Sequence, residues 1–138
     1  RTNLALMEQS ITDITQTNFL KVSPDETVAK TIELLKKEQQ TEAFCVAEDG
    51  TYVGKLFLPQ LLKVKSDTKA SLSVTSTDTT IPANSSMFQA MEIASGFVGE
   101  AMAVVDKKND VIVGVVTEAD IFSVYLKAQS DVHKVEHG

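Results

Sequence analysis

Glu42-Ala43-Phe44-Cys45-Val46, followed by Tyr52-Val53-Gly54, returns later in the chain as Glu100-Ala101-Met102-Ala103-Val104, followed by Ile112-Val113-Gly114. The correspondence extends upstream. Val22-Ser23-Pro24-Asp25 stands opposite Ile81-Pro82-Ala83-Asn84, and Val28, Ile32 and Glu33 stand opposite Met87, Met91 and Glu92. A chain that repeats itself in this way builds one supersecondary unit more than once. Copy one spans residues 18–64 and copy two residues 77–128, the second with two extra residues in its turn and one fewer after its first helix.

Each copy has the same order of elements. A short extended segment, Phe19–Val22 or Thr79–Ile81, leads into an amphipathic helix. Ser23-Pro24-Asp25-Glu26 predicts its start in copy one, with Ser23 as N-cap, Pro24 in the first helical position and Glu26 closing a capping box. Val28, Ile32 and Leu35 then line one face of the helix, as do Met87, Ala90, Met91 and Ala94 in copy two, where Gly96 ends it. Strands are expected at Ala43–Ala47 and Tyr52–Phe57, and again at Ala101–Val105 and Val111–Val116. They are continuous apolar runs, the pattern of strands buried on both faces. Closing helices follow at Pro59–Val64 and Glu118–Lys127. The fold class is therefore α/β in the broad sense (α+β), with two β-α-β-β-α repeats that are expected to pack side by side with pseudo-two-fold symmetry.

The repeats leave three flanking pieces. Residues 1–17 hold Leu4, Met7, Ile11 and Ile14 at helical spacing and predict a lead-in helix and linker, expected to lie on the module or to lead in from a preceding domain. Residues 65–76 predict a linker, because Ser66–Thr80 holds nine Ser or Thr in fifteen residues, too few apolar groups for a core. Residues 129–138 predict a polar, frayed tail. At 138 residues and 15.0 kDa the chain has the mass of a single domain and needs no disulfide or metal staple. Nineteen acidic against thirteen basic residues, a net charge of −6, argue against nucleic acid as a partner. No apolar run reaches the length of a membrane span, so direct membrane insertion is not expected. The lone Cys45 forms no internal disulfide and suits a reducing compartment. A start at Arg1, with no signal peptide, predicts a piece of a longer protein or a processed chain.

The repeated unit, together with Gly114-Val115-Val116-Thr117-Glu118-Ala119-Asp120 after the last strand, resembles the CBS-domain pair, or Bateman module. That string looks like the family's nucleotide motif: glycine, two apolar residues, Ser or Thr, two variable residues, Asp. A narrower resemblance, carried by Phe97-Val98-Gly99-Glu100 and Thr117–Leu126, is to the second CBS unit of ClC-type chloride channels and transporters. Those proteins carry the pair as a cytoplasmic tail behind a dimeric membrane domain.

Physical chemistry and resemblance meet at Thr117 and Asp120. A helix start offers free N–H groups and partial positive charge, which suit phosphate, and an ionised carboxylate accepts both hydroxyls of a ribose. The resemblance implies that Asp120 holds the ribose and Thr117 faces phosphate. It implies an adenine slot lined by the other repeat, with Thr15, Leu20, Thr41, Glu42 and Ala43, and a ligand such as AMP, ADP or ATP in the cleft between repeats. The same two residues also form a capping arrangement that needs no ligand. In copy one the matching positions are Phe57 and Gln60, which lack the hydroxyl and the carboxylate, so at most one good adenosine site is expected. Glu42 opposes phosphate by its charge, which favours AMP, adenosine or a metal-bound nucleotide. Lys55 is a candidate to offset it.

Other residues carry less. Cys45 lies in an apolar strand with no base to activate it. His133 and His137 stand four apart in a polar tail without a third ligand. Met87, Met91 and Met102 fall at core positions, and Lys36-Lys37 complements a helix C-terminus. No acid–base pair, nucleophile or metal cluster is visible, so the expectation is a regulatory module and not an enzyme. It is expected to require no cofactor, and the resemblance implies that it assembles as a homodimer and serves an attached membrane domain from the cytoplasmic side. The alternatives are a ligand-free dimerisation scaffold, or the regulatory pair of another transporter or an enzyme.

Overall fold

The structure, a computed structural model, describes residues 4–75 and 78–137, with side chains as far as Ser130. It contains two three-stranded sheets and flanking helices, in two compact units that each enclose one repeat. The first unit comprises residues 18–78 and 107–112. Its strands β1 (Lys21–Val22), β2 (Glu42–Val46) and β3 (Tyr52–Phe57) lie in that order. β1 pairs parallel with β2, Val22 opposite Cys45, and β2 pairs antiparallel with β3, Ala43 opposite Leu56. The second unit comprises residues 4–17, 79–106 and 113–137 of those described. Its strands β4 (Thr80–Pro82), β5 (Met102–Asp106) and β6 (Val111–Val116) follow the same order, with Ile81 opposite Val104 in the parallel pair.

The expected apolar faces become the cores. In the first unit Val28 and Leu35 of α2 (Val28–Glu38) and Leu61 of α3 (Leu58–Leu61) are fully buried with Ala43, Cys45 and Leu56. In the second, Met87, Ala90 and Ala94 of α4 (Met87–Ala94) pack with Ile81, Met102, Val104 and Val116. Each fully buried Leu or Met contributes about 1.5–3 kcal/mol relative to leaving it in water.

The first helix starts later than the sequence predicts. Thr27, not Ser23, is the N-cap of α2, its hydroxyl accepting from the Lys30 N–H at 3.2 Å. The carbonyls that an earlier start would need are taken elsewhere: Glu26 accepts from the Ala70 N–H at 2.7 Å and Pro24 from the Ser71 N–H at 3.1 Å. Ser23 accepts locally from the Asp25 N–H. In the second unit Ser86 and Gln89 form a reciprocal capping box at the start of α4. That helix ends at Ala94, two residues before Gly96.

The flanking pieces are drawn into the two units, the expected linker among them. The segment after Val64 is part of the first unit: Ala70 is fully buried in its core, and the Thr68 carbonyl accepts from the Val28 N–H at 2.8 Å. A 3₁₀ turn at Ala70–Leu72 follows, and the Thr75 N–H donates to the Lys55 carbonyl of β3 at 2.8 Å. The lead-in does the same for the second unit. Its helix breaks after α1 (Leu4–Met7), because Ser10 takes an extended conformation and caps a 3₁₀ turn at Ile11–Ile14. Met7 and Ile11 are fully buried, the Ile11 N–H donates to the Ser85 carbonyl at 2.9 Å, and the Gln16 N–H donates to the Val115 carbonyl of β6 at 2.8 Å. Each repeat is thus completed by a strap: residues 68–75 on repeat one, residues 9–16 on repeat two. The expected tail is a third difference. The last helix, α5, runs Glu118–His137, since no Gly or Pro interrupts it.

Both straps cross their strand at a glycine. A Cβ on Gly114 would lie 2.4 Å from the Gln16 carbonyl oxygen, and one on Gly54, which has a φ of +156°, would lie 2.7 Å from Val74 Cβ. Gly96 has open space around it. Gly114→Ala and Gly54→Ala should each destabilise by about 1–3 kcal/mol, the usual overpacking range. Gly96→Ala should be neutral or stabilising by up to about 1 kcal/mol. Urea unfolding of the three variants checks this contrast.

Candidate functional site

The corner from β6 into α5 carries the two residues on which the sequence reading rests. Thr117 precedes the helix and Asp120 is three residues on. They cap the helix reciprocally: the Asp120 N–H donates to Thr117 Oγ1 at 3.0 Å, and the Thr117 N–H donates to Asp120 Oδ2 at 3.1 Å. The capping reading is therefore realised in the geometry. It does not exhaust the corner. Among the described residues no donor reaches Asp120 Oδ1, and the Glu118 and Ala119 N–H groups, orphans of a first helical turn, donate to nothing.

The strap of the second unit also reaches this corner. Gln16 pairs with Val115 through both backbone groups, at 2.8 and 2.9 Å, and its side-chain Nε2 donates to Asp120 Oδ2 at 3.0 Å. Sequence reasoning missed Gln16. The signal lay in extending the repeat upstream, where Ile11 stands against Ala70 and Gln16 against Thr75. Thr15 is adjacent, but its hydroxyl donates back to the Ile11 carbonyl at 2.9 Å and its methyl lies against Gly114.

The matching corner of the first unit has none of this chemistry. Phe57 precedes α3 without any side-chain cap, and Gln60 accepts from the Thr75 hydroxyl at 3.4 Å. Its strap therefore meets an amide where the other meets a carboxylate.

The remaining residues implied by resemblance lie in the first unit. Leu20 and Thr41 use their carbonyls to hold the Phe44 and Leu58 N–H groups, each at 2.9 Å. Ala43 is buried in the apolar core, so its side chain is committed to packing. Glu42 is buried and pairs with the equally buried Lys55 at 3.2 Å, with the Lys55 ammonium 5.6 Å from the Phe44 ring centre. The charge that counted against phosphate is met inside this unit. Nearby, the Tyr52 hydroxyl donates to the Asp78 carboxylate. Burial raises both groups above their usual range, against the opposing pull on Asp78 of its bond from Tyr52 and of Lys55. A carboxyl raised on folding binds its proton more tightly in the native state. Ionised Asp78 therefore subtracts from stability at neutral pH, and that loss is relieved as pH falls through its folded pKa.

Burial pushes the Cys45 thiol up to about 11, so it stays protonated and unreactive at neutral pH. Among the described residues no three His, Cys, Asp or Glu side chains converge on a metal position, and the side chains of His133 and His137 lie outside those residues. Nor is any described helix long and apolar enough to cross a membrane. An apolar hollow of about 330 Å³, between Met91 and Ala94 of α4 and Ala119 and Phe122 of α5, excludes both Thr117 and Asp120. Of these features the buried ion pair is the most sensitive to substitution. Lys55→Met should destabilise by about 3–5 kcal/mol by stranding the Glu42 carboxylate, and Glu42→Gln with Lys55→Met should recover most of it. Urea unfolding of both variants measures the difference.

The family model described as the CBS domain matches the chain twice, at residues 11–67 and 70–127. No curated protein sequence matches it. Solved structures do, at low identity. The cystathionine beta-synthase pair domain of a protein assigned as an Mg2+ transporter in Shewanella oneidensis MR-1 is 20% identical, with a TM-score of 0.77 over 87% of this chain and 71% of that one. CBSX2 in complex with AMP is 18% identical, with a TM-score of 0.70 over 87% and 98%. CbpB in complex with c-di-AMP is 11% identical, with a TM-score of 0.80 over 95% and 93%. At such identities the likeness is one of fold. With the family matched over both repeats and each repeat folded into its own strapped unit, the chain belongs to the CBS domain family, as a tandem pair.

Proposed function

We propose that this CBS pair is the adenine-nucleotide sensor of a membrane transport protein. CBS pairs are regulatory ligand-binding modules rather than catalysts. The observation that carries the ligand reading is the β6–α5 corner: an Asp120 oxygen and two helix-start N–H groups without partners among the described residues, on one turn of backbone. The carboxylate oxygen suits a ribose hydroxyl and the N–H groups suit phosphate. Proteins of the same fold hold AMP and c-di-AMP, and another is assigned to an Mg2+ transporter. Thr15, Leu20, Thr41, Glu42 and Ala43 are assigned to the same ligand by family resemblance alone. With Glu42 paired to Lys55, the case for preferring the less charged nucleotides is weaker than the sequence suggests.

A ClC-type parent, with the pair on the cytoplasmic face, is the finer form of this proposal. It rests on Phe97-Val98-Gly99-Glu100 and Thr117–Leu126. Regulation would draw on the ligand's differential affinity for two states of the attached domain. A homodimer is part of the same reading. Phe122 and Leu126, exposed at 56% and 51% on α5, give it apolar surface to bury.

The test is a thermal melt with AMP, ADP, ATP (with and without magnesium) and adenosine, on the wild type and Asp120→Ala. A ligand at a hundred times its Kd adds about 2.7 kcal/mol, a rise of several degrees that Asp120→Ala should lose. No rise with any adenosine ligand at millimolar levels would leave Thr117 and Asp120 as helix caps and favour the scaffold. Sedimentation equilibrium should give twice the 15.0 kDa chain mass, and Phe122→Ser should shift it toward the monomer.

A further inference from the structure

Asp120 does not present two equivalent oxygens. An ionised carboxylate has about four lone-pair sites, two on each oxygen. Oδ2 already accepts twice, from the Thr117 N–H at 3.1 Å and from Gln16 Nε2 at 3.0 Å, while Oδ1 accepts from no described residue. A fork-like grip on both hydroxyls of a ribose calls on both oxygens. The Gln16 amide therefore stands where the second hydroxyl would donate. Its backbone is pinned by Val115 on both sides, and Gly114 lets the strap come this close. Gln60 at the matching place in the first unit has no carboxylate to be shared in this way.

We propose that Gln16 is a specificity-determining residue that reduces Asp120 to a single-hydroxyl acceptor, so that the site reads one ribose hydroxyl and tolerates loss or esterification of the other. This rests on the nucleotide reading of the corner and specifies its substrate class: adenosine nucleotides that keep one particular free ribose hydroxyl, with the other absent or esterified. Gln16 acts through Asp120 and is a positioning residue in that sense.

The test is calorimetric titration of AMP, 2′-deoxy-AMP and 3′-deoxy-AMP into the wild type and Gln16→Ala. For the wild type, one deoxy form should bind within about threefold of AMP and the other about tenfold or more weaker, the loss expected for one hydrogen bond to a charged group. In Gln16→Ala, with Oδ2 open, both deoxy forms should fall about tenfold below AMP. Equal losses for both deoxy forms in the wild type, or an unchanged pattern in Gln16→Ala, would overturn the role of Gln16 and leave nucleotide binding standing. AMP that binds neither protein would overturn the ligand reading, and this inference with it. The Gln16 side chain is exposed, so the variant is expected to fold. Should its melting point drop, Gln16→Met keeps the stem without the donor and must give the same discrimination pattern.

Discussion

At two places the chain passes over itself with less clearance than one methyl group requires. Gly114 and Gly54 are where this happens, and the rest of each unit depends on it. Each glycine lets a strap lie against the last strand of its sheet and pair with it. The pairing brings a buried residue, Ile11 or Ala70, into the core and supplies partners to the edge of the next helix start. A larger residue would lift the strap, and with it the hydrogen bonds that set where α2 and α4 begin. The two glycines share a place in the repeat but differ in why they are needed. Gly54 has both a left-handed φ and no room, whereas Gly114 is required by space alone.

The β6–α5 corner shows why capping and ligand binding are not rival explanations of the same residues. A capping box spends one carboxylate oxygen on the backbone and fixes the direction of the other. At Asp120 the spent oxygen is Oδ2, and the strap's amide adds to it. What remains is a single oriented acceptor beside two N–H donors that have no partner among the described residues, the arrangement on which the proposed nucleotide reading rests. The buried Glu42–Lys55 pair works differently. Its charges satisfy each other within a sheet, at a desolvation penalty that the pairing only offsets.

Much of the architecture was legible in the sequence, because apolar runs and periodic faces report directly on burial. β3 and β6 lie where their runs predict, and the buried faces of α2 and α4 include Val28 and Leu35, and Met87, Ala90 and Ala94. What escaped was long-range. The Ser/Thr-rich stretch after Val64 looks like a linker by composition, yet Ala70 within it is core, a role one small residue cannot announce. Ser23-Pro24-Asp25-Glu26 has good local credentials as a helix start, and loses to a strap that claims its carbonyls. The departures at Phe57 and Gln60 were legible, since motif chemistry is local. Gln16 was not, because its importance comes from a partner 104 residues away.

That separation has a consequence in time. The strap of the second unit is made well before the corner it completes, Gln16 lying 104 positions ahead of Asp120. At a synthesis rate of about 5–20 residues per second, the strap waits roughly 5–20 s for its docking strand. During that interval the strap can reach its partners at Ser85 and Met87, but the strand edge that Gln16 pairs with does not yet exist. The first unit meets no such delay, since its strap follows its last strand within about twenty residues. The failure mode that this connectivity creates is an exchange between two nascent chains, each strap closing the other chain's corner, with the hinge just before Asn18. Such a domain-swapped pair would keep every hydrogen bond of the native corner and differ only in which molecule supplies it.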